Sequence, residues 1–105
     1  SFNAGHPVNT ESCDTFAGGI AVRVAIPEAV DLMLEVVDEM WLISENEMKR
    51  AMTLYYQISD QLLEGAGAAA LAAVLKFSKK VKNKTICLIA SGSNVDEKLK
   101  QEVLP

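Results

Sequence analysis

The apolar residues that follow Pro27 recur at positions i, i+3, i+4 and i+7, as they do along one face of an α-helix: Val30, Met33, Leu34 and Val37. Proline suits the first turn of a helix, where its missing N–H would have had no intrahelical partner. The pattern therefore predicts a helix that begins at Pro27 and is ended by Asp38.

A second helix is predicted to begin after Ser44. Glu47 stands three residues later, so the two residues can form a capping box, in which each side chain accepts a hydrogen bond from the other's backbone N–H. The helix is expected to run to about Leu63. Its apolar face, which we interpret as core, consists of Met48, Ala51, Met52, Tyr55, Ile58 and Leu62.

The next predicted helix, residues 66–79, is filled with alanine and glycine in its first two turns. Small side chains allow a neighbouring backbone or a flat ligand to approach closely. A short charged helix over residues 95–104 is expected to close the chain.

Two apolar runs have the length of strands, residues 40–43 and residues 85–90. The second is apolar at nearly every position rather than alternating, which is typical of a parallel strand covered on both faces. Two buried strands do not make a stable sheet by themselves. The expected fold class is therefore α/β, a partial three-layer (αβα) parallel sheet whose other strands come from sequence outside these residues or from a second chain.

The composition of the 105 residues, half of them hydrophobic and 23% charged, fits one domain with a packed core. That domain would cover residues 1–105, with a loop-rich lead-in over residues 1–26. The net charge of −4 argues against nucleic acid as a partner, because such binding depends on clustered Lys and Arg. No apolar run reaches the roughly 20 residues that span a membrane. Because the sequence begins at Ser1 rather than methionine, we interpret it as a piece of a longer polypeptide.

Residues with metal-binding or redox chemistry are sparse. Cys13 and Cys87 are far apart and form no CxxC motif, so no disulfide is expected, and Cys87 is interpreted as core filling in a reducing compartment. His6 has no ligand-type neighbours, which predicts an exposed loop histidine and no metal site. With no recognisable leader, these features favour a cytoplasmic location.

Three short elements fall where the predicted helices begin or the predicted strands end. They are Gly18-Gly19, Glu64-Gly65 and the loop Ser91-Gly92-Ser93-Asn94. Each alone is typical of an ordinary turn or cap. Together they predict a polar-edged pocket for a planar or anionic ligand at the carboxyl edge of a sheet.

Taken in order, six motifs resemble the carboxyl-terminal part of the threonine/serine dehydratase and serine racemase family. These are pyridoxal-phosphate enzymes of the tryptophan synthase β-like fold, also called fold type II. The motifs cover most of the chain and lie at residues 5–8, 15–22, 37–39, 44–47, 64–69 and 88–96. Their order and spacing make the resemblance specific.

The resemblance implies a set of cofactor-binding residues. Ser91 corresponds to the serine that hydrogen-bonds the pyridine nitrogen of the cofactor, with Gly92 next to it. Glu64 corresponds to the glutamate close to the ring, and Gly18 and Gly19 to the backbone that passes beside it. A neutral hydroxyl at that nitrogen would favour β-elimination over deeper carbanion chemistry.

The sequence also departs from the family. An aspartate usually stands at Gly18 and a second glycine at Ser93. More importantly, the family's Schiff-base lysine and its glycine-rich phosphate loop have no counterpart in these 105 residues. The isolated chain is therefore expected to be catalytically inert.

The function that the resemblance implies is that of a portion of a threonine/serine ammonia-lyase, a dehydratase that gives a 2-oxo acid and ammonia. A serine racemase parent stays open, because the same site residues serve both reactions. The expected partners are Thr or Ser as substrate, and another copy of the chain or the missing amino-terminal portion. From other classes, a non-catalytic binding or assembly module with this fold and a small nucleotide-binding domain stay open, although the phosphate-binding motifs of the latter are absent.

Overall fold

A computed structural model describes residues 1–105. The chain forms five α-helices and no β-strand. The helices are α1 (Pro27–Val36), α2 (Glu45–Ser59), α3 (Gly65–Lys76), α4 (Ser78–Val81) and α5 (Glu97–Val103), and single 3₁₀ turns lie at Phe2–Ala4 and Gly18–Ile20.

The predicted starts of the first two helices are confirmed. Pro27 occupies the first turn of α1, which ends just before Asp38. At α2 the capping box is complete: the Glu47 N–H donates to Ser44 Oγ at 3.3 Å, and the Ser44 N–H donates to Glu47 Oε2 at 2.7 Å.

The predicted ends of the next two helices are too late. The second helix ends at Ser59 because Asp60 takes a left-handed conformation, φ 56°, and its N–H bonds the Tyr56 carbonyl. This turn brings Leu63 back into the core. The third ends at Lys76, and α4 follows as a separate short helix.

The core lies where α2 packs on α3 and α5 closes against α2. Its apolar side chains include residues that are completely buried, among them Met52 and two alanines. The small residues of α3 admit this close packing. The cluster consists of Ala17, Met48, Ala51, Met52, Leu63, Ala68, Ala72, Val95, Leu99 and Val103.

Neither predicted strand forms, and residues 85–90, expected to be buried, are exposed. No backbone–backbone hydrogen bond involves residues 38–43 or 85–91. A strand needs a neighbouring strand to bond its N–H and C=O groups, and these 105 residues supply none. The predicted αβα sheet is therefore not formed within the chain.

Side chains rather than a ladder hold residues 40–43 in place. The Trp41 ring packs against Phe77 at a centroid distance of 5.1 Å, and Lys80 Nζ lies 5.2 Å from the centroid of the Trp41 ring. The Lys76 ammonium donates to the Leu42 carbonyl at 2.9 Å. The segment is thus anchored to the carboxyl-terminal end of α3 and to α4.

The molecule is a flat slab of 41 × 36 × 18 Å. Its accessible surface is 7569 Å², whereas a compact monomer of its mass exposes about 5,800 Å². Its radius of gyration, 14.9 Å, also exceeds the value of about 13 Å for a compact domain of this length. Residues 85–90 and much of the lead-in, residues 1–26, carry apolar side chains that are exposed. No helix is long and apolar enough to cross a bilayer.

Candidate functional site

The amino-terminal end of α3 is the point where the predicted site elements meet. Glu64 is the residue that precedes the helix, and its carbonyl accepts the first intrahelical bond, from the Ala68 N–H at 3.0 Å. The Glu64 N–H donates to the Gly92 carbonyl, also at 3.0 Å. This bond ties the loop after residues 85–90 to the start of the helix.

Two glycines make this contact possible. A Cβ on Gly67 would overlap the Ser91 carbonyl, so the loop backbone lies directly against α3. Gly92 has φ +73°, and a Cβ there would lie 2.5 Å from Glu64 Oε1. The interpretation that small residues in this helix admit a neighbouring backbone is confirmed.

The lead-in supplies a further wall through the 3₁₀ turn at Gly18–Ile20. A Cβ on Gly19 would lie 3.1 Å from Ala66 Cβ and 3.5 Å from Glu64 Oε1, so the turn faces the start of α3 closely. The Phe16 ring lies against Gly65, where a Cβ would overlap it. Gly18 meets nothing within 4 Å and faces open space.

These contacts enclose a cavity of about 280 Å³. It brings together three of the five predicted site residues: Gly18, Gly19 and Glu64. The complete lining consists of Phe16, Gly18, Gly19, Glu64, Gly65, Ala66, Asn94, Val95, Asp96 and Leu99.

The other two predicted residues, Ser91 and Gly92, line a second cavity of about 430 Å³ with Tyr55 and Gln61. Gly92 still contacts the Glu64 side chain, so the two cavities adjoin at that glutamate. The Ser91 side chain is exposed and makes no hydrogen bond within the chain. Its hydroxyl is therefore available to a group from outside.

The Glu64 carboxylate is half-buried and forms neither a hydrogen bond nor an ion pair. It stands at the start of α3, where the helix dipole and the unpaired N–H groups favour negative charge. The lysines of α3 and α4 are remote from it, since Lys76 is about 18 Å further along the helix axis. The Lys49 ammonium, which lies 5.5 Å from the centroid of the Phe16 ring, is paired with Glu102.

Sequence reasoning missed the side chains that build the lead-in wall. Phe16, Thr15 and Glu45 all lie in motifs that were recognised, but their mutual contacts join positions about 30 residues apart. No local pattern predicts such a pairing. His6 is exposed, as predicted, and both cysteines are free and exposed, which corrects the interpretation of Cys87 as core.

Comparison with known sequences and structures gives these contacts a context. A sequence model described as pyridoxal-phosphate dependent enzyme matches residues 1–92. The chain belongs to this family. Pyridoxal phosphate is accordingly the cofactor of the complete enzymes to which the chain is related.

The resemblance to threonine dehydratases is confirmed by individual relatives. The chain is 34% identical to threonine dehydratase 2 of Solanum lycopersicum over 91% of its own length and 16% of the relative's. It is 34% identical to L-threonine ammonia-lyase of Thermotoga maritima over 91% of its own length and 24% of the relative's.

A solved structure shares the fold. The processed form of threonine deaminase isoform 2 from Solanum lycopersicum superposes with a TM-score of 0.87 at 32% identity, over 96% of this chain and 30% of that chain. In every one of these comparisons the present chain spans less than a third of the length of the protein it matches.

Proposed function

We propose that the chain is the carboxyl-terminal portion of the catalytic domain of a pyridoxal-phosphate-dependent threonine/serine ammonia-lyase. The parent enzyme would remove the β-hydroxyl of Thr or Ser and release a 2-oxo acid and ammonia. The observation that carries this proposal is the convergence of Gly18, Gly19, Glu64 and Gly92 at the start of α3. The same residues are those that the family resemblance assigns to the cofactor.

The residues present fit one wall of such a cofactor site. Gly18 and the adjoining turn leave room for a flat ring, since no atom lies within 4 Å of a Cβ at Gly18. The exposed Ser91 hydroxyl is a neutral partner for a pyridine nitrogen. When bound, the cofactor supplies the electron-withdrawing ring that acidifies the substrate's α-carbon. In this proposal Glu64 faces the ring and Gly92 keeps the Ser91 loop close to that glutamate.

We propose that the chain is inert by itself. Family members bind the cofactor through a lysine and a phosphate loop, for which these residues offer no substitute. The lysines of α3 and α4 lie at the far end of the helix from Glu64, and Lys49 is engaged by Glu102.

We further propose that the remainder of a family polypeptide covers the exposed segments and completes the sheet. The chain exposes about 1,800 Å² more than a compact monomer of its mass, and a stable interface needs only about 800 Å² from each partner. The backbone of residues 85–91 is unbonded on both sides, so strands could be added at either edge. The structural relative contains the same fold inside a chain more than three times as long. We also propose that the completed enzyme assembles into a complex of several copies. We propose the cytoplasm as its location.

The test is to mix the purified chain with pyridoxal phosphate and Thr or Ser. We expect no absorption band from a lysine-bound cofactor and no 2-oxo acid. Turnover together with a borohydride-stable adduct on one lysine would contradict the proposal and would show that the chain has a cofactor lysine of its own.

The role of Ser91 is tested separately in a complete enzyme that carries this sequence. Ser91→Ala should slow elimination by about tenfold or more, since a buried acceptor left unpaired costs about 1–3 kcal/mol. Ser93→Ala is the matched control in the same loop. Equally small effects at both positions would show that Ser91 does not face the ring, and release of racemised serine would favour the racemase parent.

A further inference from the structure

A chain of hydrogen bonds connects α2 to the lead-in wall of the cavity. Glu45 is the first residue of α2. Its Oε1 accepts a hydrogen bond from the Thr15 hydroxyl at 2.6 Å, and its Oε2 accepts one from the Phe16 N–H at 3.2 Å. The Thr15 oxygen in turn accepts a bond from the Ala17 N–H at 3.1 Å. Two successive backbone N–H groups of the loop are thus held, directly or through a hydroxyl, by one carboxylate.

The held segment leads straight into the glycine turn. The Ala17 carbonyl accepts a bond from the Ile20 N–H at 3.0 Å, which closes the 3₁₀ turn, and Ala17 itself is 1% exposed. Gly19 follows within this turn and lies against Ala66 and Glu64. A displacement of residues 15–17 would therefore carry Gly18 and Gly19 away from the start of α3.

We propose that Glu45 is a positioning residue of the candidate site, which holds the Gly18-Gly19 wall at its working distance from Glu64. The proposal rests on the proposed function for the meaning of that wall, but not for its geometry. Glu45 suits this role because α2 is fixed in the core through Met48, Ala51 and Met52. The loop has few other polar attachments to the helices.

The contact depends on the polar end of the Glu45 side chain. The Phe16 N–H can only donate, whereas the Thr15 hydroxyl can donate or accept. A glutamine could therefore keep both contacts, with its oxygen accepting from the Phe16 N–H and its NH₂ group donating to the Thr15 oxygen. Glu45→Met keeps the approximate length of the side chain and removes both bonds.

Amide hydrogen exchange of the chain without any cofactor tests the proposal. In Glu45→Met we expect the Phe16 and Ala17 amides to exchange about tenfold faster or more, since bonds to charged groups are the stronger ones. Thr15→Val should accelerate exchange of the Ala17 amide in the same way, without changing the exchange of the amides in α2. Thr15→Ser, which keeps the hydroxyl, should restore the original rates.

Glu47→Met is the matched control. It also removes a negative charge from the first turn of α2, so it should weaken that helix to a similar degree. Glu47 has no contact with the loop. The exchange rates of the Phe16 and Ala17 amides, each divided by the rate of the Met52 amide, should therefore be the same as in the unchanged chain. Equal acceleration of exchange in Glu45→Met and Glu47→Met would overturn the proposal, as would unprotected Phe16 and Ala17 amides in the unchanged chain. Because no pyridoxal phosphate is present, these outcomes do not depend on the proposed enzymatic function.

Discussion

The α2–α3 pair buries its apolar face, whereas the segment of residues 85–90, which is apolar at nearly every position, is exposed. Met52 in α2 and Ala68 in α3 are completely buried, whereas Ile89 in the segment is 77% exposed. A helix bonds its own N–H and C=O groups, so it can form before its apolar face is covered. An extended segment must find both its hydrogen bonds and its cover on other strands. The helices of this molecule therefore satisfy their backbone hydrogen bonds within the chain. The extended segment depends on neighbouring strands that these residues do not supply.

The largest effect should come from opening the helical core. Met52→Ala removes a completely buried side chain and should cost about 2–5 kcal/mol of the free energy of unfolding. Met40→Ala is the control outside the core, because Met40 is 44% exposed, and it should cost far less. Urea denaturation followed by helical circular dichroism measures both. Similar losses would mean that the helical region is not the stable part of the molecule.

A second prediction concerns two isoleucines with the same exposure. Ile89 and Ile58 are each 77% exposed, but only Ile89 lies in a segment with unbonded backbone. Burying such a side chain contributes roughly 1.5–3 kcal/mol, so Ile89→Asp should weaken association of the chain by about tenfold to a hundredfold. Ile58→Asp, on the bonded backbone of α2, should change it little. The dissociation constants of the two variants are measured by light scattering. Equal effects would mean that residues 85–90 are not a preferred surface for association.

A third prediction addresses the contact between the two regions. An alanine at Gly67 would overlap the Ser91 carbonyl, and forcing a methyl group against packed backbone costs about 1–3 kcal/mol. The loop should move, and the Glu64 N–H, which bonds the Gly92 carbonyl, should exchange faster with solvent. Gly18→Ala meets open space and should leave that amide unchanged. Unaltered exchange in Gly67→Ala would mean that the loop does not lie on α3.

The smallest effect should be a dependence of the stability of α2 on pH. The Ser44 N–H and then the Lys76 ammonium lower the pKa of Glu47 from its usual value of 4.5. The stabilisation is therefore complete above 4.5 and is lost as the pH falls through the lower, folded-state pKa. Thermal unfolding measured above and below that value should show a small loss, and Glu47→Gln should reduce it. An undiminished loss would assign the effect to Glu39 and Glu102, whose pKa values are also lowered, mainly by their hydrogen bonds to Lys80 and Lys49.

The same division explains what the sequence could predict. The starts of α1 and α2 depend on local chemistry, Pro27 in one case and the Ser44–Glu47 capping box in the other, and both were predicted. The buried strand predicted for residues 85–90 is not confirmed, because these 105 residues alone do not supply the neighbouring strands that would bond and cover it. At the site, the glycines and Glu64 could be found as motifs. The Glu45–Thr15 contact could not, since it joins distant parts of the chain.

Sedimentation velocity over a concentration series tests the central claim most directly. If the rest of a family polypeptide normally covers residues 85–90 and the apolar lead-in, the isolated chain should associate as its concentration rises. Its smallest species should also sediment more slowly than a compact sphere of 11.4 kDa. A compact monomer whose sedimentation coefficient stays constant over the whole series would contradict the account.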